Sequence, residues 1–233
     1  MNKLVEITNL TKKYEGKVIL DDISLTIPEG RIIGLLGANG AGKTTIIKII
    51  TGVMKDYSGK VLINNQSPGK YTKSITSYLP DKTYLSSWMK VKDTVDLFAD
   101  FYVDFDKNKA IELLNLLNID INQSVTKISK GTYEKVQLVI VMSRSSKLYV
   151  LDEPLGGVDP ASRDIIIDTI LTNYNEKSSV ILSTQLIQDV ERAFDGVIIL
   201  KNGKILVNGE VDNVRSKVGK SIDEYCREVF KCC

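Results

Sequence analysis

The chain has 233 residues, 31 basic and 29 acidic, with three cysteines and no histidine. That length suits one large domain or a core with an inserted subdomain, and 43% hydrophobic with 26% charged residues is the make-up of a folded globular chain rather than a disordered one. A net charge of +2 gives no pull toward nucleic acid, and the missing imidazole excludes Ser/His and Cys/His nucleophile pairs, histidine zinc ligands and a histidine base.

The first thirty residues alternate in polarity (LVEITNL, VILDDISLTI) and are punctuated by Glu15-Gly16 and Pro28-Glu29-Gly30, which predicts a strand-rich start. RIIGLL is a continuous apolar run of strand length, followed by a glycine-rich turn and the helical KTTIIKII, closed at Gly52. KVLIN and ITSYLP read as short strands. From about residue 88 to 145 the pattern turns helical: Val91, Val95, Phe98 and Phe101/Tyr102 share one side, KAIELLNLLN repeats the spacing, and a third helix is expected after Gly131, with Tyr133 to Ser143 as its body. Strand and helix then alternate through LYVLDE, Pro160 to Asn173, SVILST and LIQDVERAF, ending in a hairpin that turns at Asn202-Gly203. The expectation is an α/β fold: a mostly parallel sheet covered on both faces, an N-terminal antiparallel β part, and an inserted helical part, all in one domain spanning 1–233.

Cys226, Cys232 and Cys233 fall in the last eight residues, without disulfide-scaffold or zinc spacing, and read as reduced, tail-located thiols of a cytoplasmic protein. MNKLVEITNL lacks the build of a signal peptide, and no apolar run approaches the ~20 residues that span a bilayer.

GANGAGKTT, Gly37 to Thr45, matches GxxxxGK[ST] between a predicted buried strand and a predicted helix. Its glycines let backbone N–H groups converge on phosphate oxygens, Lys43 adds a point charge, and the helix N-terminus adds its dipole. Thr44 offers a hydroxyl to Mg²⁺. The candidate nucleotide-phosphate-binding set is Gly37, Asn39, Gly40, Ala41, Gly42, Lys43, Thr44 and Thr45. LYVLDE ends a strand in two carboxylates: Asp152 is placed to hold Mg²⁺, and Glu153 to accept a proton from attacking water. Together these motifs predict a phosphate-loop NTPase.

At ISKGT, Ile128 to Thr132, the chain resembles the ATP-binding-cassette (ABC) ATPases, whose signature reads LSGGQ, and the resemblance extends over essentially the whole length. It implies that Tyr14 stacks on adenine, that Asp81 stands at the Q-loop position, Asp159 at the D-loop and Gln185 at the switch-histidine position. It also implies ATP held between two head-to-tail subunits, with Ser129, Gly131 and Asp159 acting in trans. Without the resemblance, Tyr14 is a surface aromatic, Ser129 an ordinary helix cap, and Asp81 either a metal ligand or a loop carboxylate pointing away. Lys130 replaces a family glycine. Gln185 donates a hydrogen bond but accepts no proton, so slow hydrolysis is expected.

Within the family, the SYLPDKTYLSSWM segment and the SKG signature resemble a Gram-positive subgroup that exports peptides or confers antimicrobial-peptide resistance. This implies a homodimer at the cytoplasmic face of the membrane, bound to a separate transmembrane permease, with Tyr84, Leu85, Trp88 and Met89 as a docking patch. The alternatives are a soluble ABC ATPase without a transporter, or a nucleotide-gated clamp with little turnover.

Overall fold

The computed structural model describes residues 2–175 and 177–231. Strands β1 (Lys3–Tyr14) and β2 (Lys17–Pro28) form an antiparallel hairpin, and their alternation buries Val5, Ile7 and Leu10 on one strand and Ile23, Leu25 and Ile27 on the other. Next come β3 (Ile32–Gly37), α1 (Lys43–Ile50), β4 (Ser58–Ile63), α2 (Lys70–Ser74) and β5 (Thr76–Leu79). Helices α3 (Val91–Phe101), α4 (Lys107–Leu116) and α5 (Lys130–Met142) follow in succession. The chain then alternates through β6 (Leu148–Asp152), α6 (Pro160–Asn173), β7 (Ser179–Thr184), α7 (Ile187–Val190), β8 (Gly196–Lys201) and β9 (Lys204–Glu210), and ends in α8 (Val211–Val218) and α9 (Ile222–Lys231).

Two sheets result. The smaller has the order β2-β1-β4 and is antiparallel. The larger has the order β5-β6-β7-β3-β8-β9, parallel except for the last pair. This is the expected α/β architecture. Strands β3, β6 and β7 are buried along their whole length, as strands covered on both faces must be. Pairings Leu36↔Thr184 and Asp152↔Ser183 align the carboxyl ends of these three neighbours, so the residues leaving them gather at one sheet edge. Helix α5 joins two cores: Val136, Val139 and Ile140 pack with α3 and α4, while Leu138, Val141 and Met142 pack with the large sheet.

Several local expectations are corrected. Helix α5 begins at Lys130, because the Ser129 hydroxyl accepts the Thr132 N–H (3.1 Å) and so caps the helix earlier. Phe101 points outward at 75% exposure, since only Phe98 and Tyr102 of that face stack, at 5.6 Å. LIQDVERAF forms only the short α7 and a 3₁₀ turn, Glu191–Ala193. Met89 is buried, its backbone carbonyl accepting from Val125 N, while Trp88 beside it is 75% exposed. Cys226 is no tail thiol: it is 1% exposed within α9, packed on the large-sheet core. Cys232 and Cys233 lie outside the described residues. Among the described residues no helix is long and apolar enough to cross a membrane.

Candidate active site

The loop from Gly37 to Gly42 leaves β3 and feeds directly into α1, whose N-terminus has no side-chain cap. Its first backbone N–H groups are thus left for a ligand. Gly42 carries φ +110°, where a side chain is strained, and a Cβ there would crowd Leu20 Cδ2 at 2.6 Å. Lys43 is buried. Its ammonium donates to the Gly37 carbonyl (2.8 Å) and stands 3.4 Å from Glu153 Oε1. A cavity of about 310 Å³ opens over this loop, lined by residues 38–45 together with Ile19, Asp81, Glu153 and Gln185.

Asp152 ends β6 at 1% exposure. Its Oδ1 accepts from the Ser183 hydroxyl (2.6 Å) and the Thr44 hydroxyl (3.4 Å), while the buried Oδ2 has no hydrogen-bond partner. Burial pushes this carboxyl above its usual range, opposed by the hydrogen bonds from Ser183 and Thr44, with the nearby Asp81 charge adding to the rise. The Asp152 carboxylate, with its Oδ1 beside the Thr44 hydroxyl, makes a hard-oxygen donor pair that suits Mg²⁺ bound largely through phosphates and water. Asp81 is exposed but lines the cavity, so it faces this site rather than turning away from it.

Glu153 adopts a left-handed backbone (φ +51°), a strained state for a residue with a Cβ. It is held there by bonds from its N–H to the Ser183 hydroxyl (3.0 Å) and carbonyl (3.1 Å). Its carboxylate then meets Lys43 and accepts from the Gln185 backbone N–H (3.2 Å), with the Gln185 side-chain amide at 3.5 Å. That same amide donates to Asn39 Oδ1 at 2.7 Å, bridging the phosphate loop and the carboxylate. A water placed over the loop would thus find one carboxylate acceptor and one amide donor side by side.

Four expected site residues lie elsewhere. Tyr14, 62% exposed at the end of β1, does not line the cavity, where Ile19 supplies the apolar surface. Ser129 and Gly131 sit at the start of α5, outside the cavity. Asp159 caps α6, accepting from Ser162 N at 3.0 Å, and that interaction with Ser162 holds its carboxyl below the usual range. Ser183 was not singled out from the sequence, yet it touches both Asp152 and Glu153; its signal is the SVILST strand running in register beside LYVLDE.

The family model described as ABC transporter matches residues 20–156. The chain is 35% identical over 225 residues to an uncharacterized ABC transporter ATP-binding protein of Methanocaldococcus jannaschii, covering 94% of this chain and 82% of that one. It is 28% identical to the ABC-type transporter ATP-binding protein EcsA of Bacillus subtilis, covering 98% and 97% respectively. Among solved structures it is similar to an ATP-binding subunit of an ABC transporter, with TM-score 0.88, 27% identity, and coverage of 97% of this chain and 99% of that one.

Proposed function

The chain belongs to the ABC transporter family as an ATP-binding, ATP-hydrolysing subunit, and from that premise we propose that it powers export of hydrophobic or antimicrobial peptides through a separate transmembrane permease. On this reading residues 1–233 form one nucleotide-binding domain, with residues 88–145 as its helical signature part. Two copies meet head-to-tail at the cytoplasmic face of the membrane. Each supplies its phosphate loop to one ATP, and its Ser129, Gly131 and Asp159 to the other.

The observation that carries the catalytic reading is the convergence of Lys43, Glu153 and Gln185 over the loop, beside Thr44 and Asp152. The Lys43 ammonium is held by backbone carbonyls and by Glu153. A phosphate entering the loop replaces those partners and frees the Glu153 carboxylate to take a proton from water. Thr44 and Asp152 would hold Mg²⁺, which would supply positive charge to neutralise the phosphates, and Asp81 borders the same space. Gln185 orients the water and donates to the γ-phosphate, but its amide neither takes up a proton nor carries charge. Turnover is therefore slow.

Phosphate release from the assembled complex tests this. Gln185→His is expected to raise turnover about 100-fold, the lower end of what a positioned acid–base group contributes. An unchanged rate overturns the slow-hydrolysis reading, and no ATP-dependent phosphate release from either version favours a nucleotide-gated clamp instead.

The transport reading is supported by a groove of about 310 Å³ between the large sheet and the helical part, walled by Tyr78, Tyr84, Phe98, Tyr102 and Arg144. Arg144 stacks 3.9 Å from the Tyr102 ring centroid and donates to Asp104, so the groove is stiff as well as aromatic. A stiff aromatic groove suits a short permease helix. Detergent co-purification with a membrane subunit checks it; recovery of the chain alone favours a soluble ABC ATPase.

A further inference from the structure

Beside the phosphate cavity lies a second, small cavity of about 20 Å³ between α5 and the end of β6, walled in part by Asp81, Glu134, Gln137, Asp152 and Glu153. Three side-chain atoms of these residues are buried without a hydrogen bond to the protein: Gln137 Nε2, Glu134 Oε2 and Asp152 Oδ2. Gln137 is 3% exposed and Asp152 1%. Glu134 and Gln137 are three residues apart on α5 and so share a face of it. The Lys130 ammonium stands 3.8 Å from Glu134 Oε1, which leaves Oε2 for another partner.

Unmatched buried donors and acceptors are costly, and bound water is the usual remedy. The volume exceeds the roughly 10–15 Å³ that one water requires, and one donor with two acceptors suits its bonding capacity. A cation fits less well, because the Gln137 amide would turn N–H groups toward it. We propose that this cavity binds one ordered water that ties Gln137 and Glu134 to Asp152, making both α5 residues positioning residues for the Mg²⁺-holding carboxylate. The proposal rests on the metal role given to Asp152 above. Ser183 and Thr44 fix Oδ1, and the water fixes Oδ2, so the carboxylate is held from both sides. Because α5 starts at the Ser129 cap, a subunit docking there acts on a helix tied through this water to the metal carboxylate of its own chain.

The test uses the full chain, with a fluorescent ATP analogue titrated against Mg²⁺ and again in EDTA. Gln137→Met keeps the length and removes the donor. It is expected to need about tenfold more Mg²⁺ for the same nucleotide occupancy, with the EDTA affinity unchanged, as for loss of a partner that orients a metal ligand. Glu134→Met removes the acceptor, is expected to shift in the same direction, and carries the comparison alone if Gln137→Met does not fold. A crystal structure of the wild-type chain is expected to show water density within hydrogen-bond distance of all three atoms. Absence of that density overturns the proposal, as does an unchanged Mg²⁺ dependence in the folded variants or an equal loss with and without Mg²⁺. If Asp152→Asn keeps the wild-type Mg²⁺ dependence, the metal assignment falls and this proposal with it. An impaired Asp152→Asn beside unaffected α5 variants overturns the water link alone.

Discussion

At the scale of single residues, burial decides what a reactive group does. Cys226 and Lys43 are both nearly inaccessible, yet the structure treats them differently. Lys43 keeps three carbonyl or carboxylate oxygens within 3.4 Å, so its charge is matched and available to an anion. Cys226 has only apolar packing and like charge nearby: desolvation, with the carboxylates of Asp223 and Glu191 adding to it, pushes its thiol up to about 12. Since the thiolate is the nucleophile, the folded chain exposes almost none of it near neutral pH. Alkylation at pH 8 followed by mass spectrometry is expected to leave Cys226 unmodified in the native protein and to label it at the rate of unfolding in denaturant. Rapid native labelling would contradict the burial.

At the scale of elements, the C-terminal helices are locked to the segment that carries Gln185. Glu191, 8% exposed in the 3₁₀ turn after α7, accepts from Arg215 Nε (2.8 Å) and Nη2 (2.6 Å) on α8. It also accepts from the Ile222 and Asp223 N–H groups (3.0 and 3.2 Å) that open α9. Burial alone would raise this carboxyl, but the backbone bonds and Arg215 outweigh it and hold the pKa below the ordinary 4.5. A depressed carboxyl stabilises the fold at pH values above its ordinary pKa, and that stability is lost as pH falls toward the folded value. Glu191→Gln is therefore expected to cost about 2 kcal/mol at pH 7, the range for hydrogen bonds to a charged group. The gap from wild type should narrow as pH falls below the ordinary carboxylate value toward the depressed one, as followed by urea denaturation at several pH values. A gap independent of pH would mean that packing, not charge, holds the joint.

The same elements show what a sequence discloses. Gly37 to Thr45 and LYVLDE were legible because each motif carries its spacing within one segment and sits in the strand context it needs. Ser183 was not, because its value comes from the Asp152↔Ser183 pairing across two strands that are separated by α6. The fold class followed from alternating strands and helices, whereas α7 was read too long because periodicity does not reveal a 3₁₀ ending. Helix α9 has a readable signal, Ile222, Cys226 and Phe230 at every fourth residue, but one competing with a cysteine pattern that reads as a tail. Tyr14 and Asp159 owed their assignments to resemblance, and within one chain their geometry is that of an exposed aromatic and a helix cap.

At the scale of the whole molecule, the separation of Ser129 and Gly131 from the phosphate cavity is what makes pairing testable. If two chains complete each ATP site, a change at Gly131 should damage the pair and spare the subunit. The local geometry allows such a change: a Cβ at Gly131 would meet nothing within 4 Å, and the residue lies in the first turn of α5, outside the left-handed region. An aspartate there gains a little from the helix dipole, ~0.3–1 kcal/mol, so Gly131→Asp should leave the melting temperature within a few degrees of wild type or slightly above it. Nucleotide affinity of the isolated subunit should also be unchanged, because its own cavity does not include residue 131. In a Glu153→Gln background, which retains ATP by removing the base, size-exclusion chromatography should show an ATP-dependent dimer that the added Gly131→Asp abolishes. The new carboxylate would face the partner's γ-phosphate where a helix N-terminus had offered N–H groups. Turnover of the assembled complex should fall at least about 100-fold for Gly131→Asp alone, as when a transition-state donor is lost. A dimer that persists in ATP would rule out the head-to-tail arrangement, and a lowered melting temperature would make Gly131 a structural residue of α5 instead.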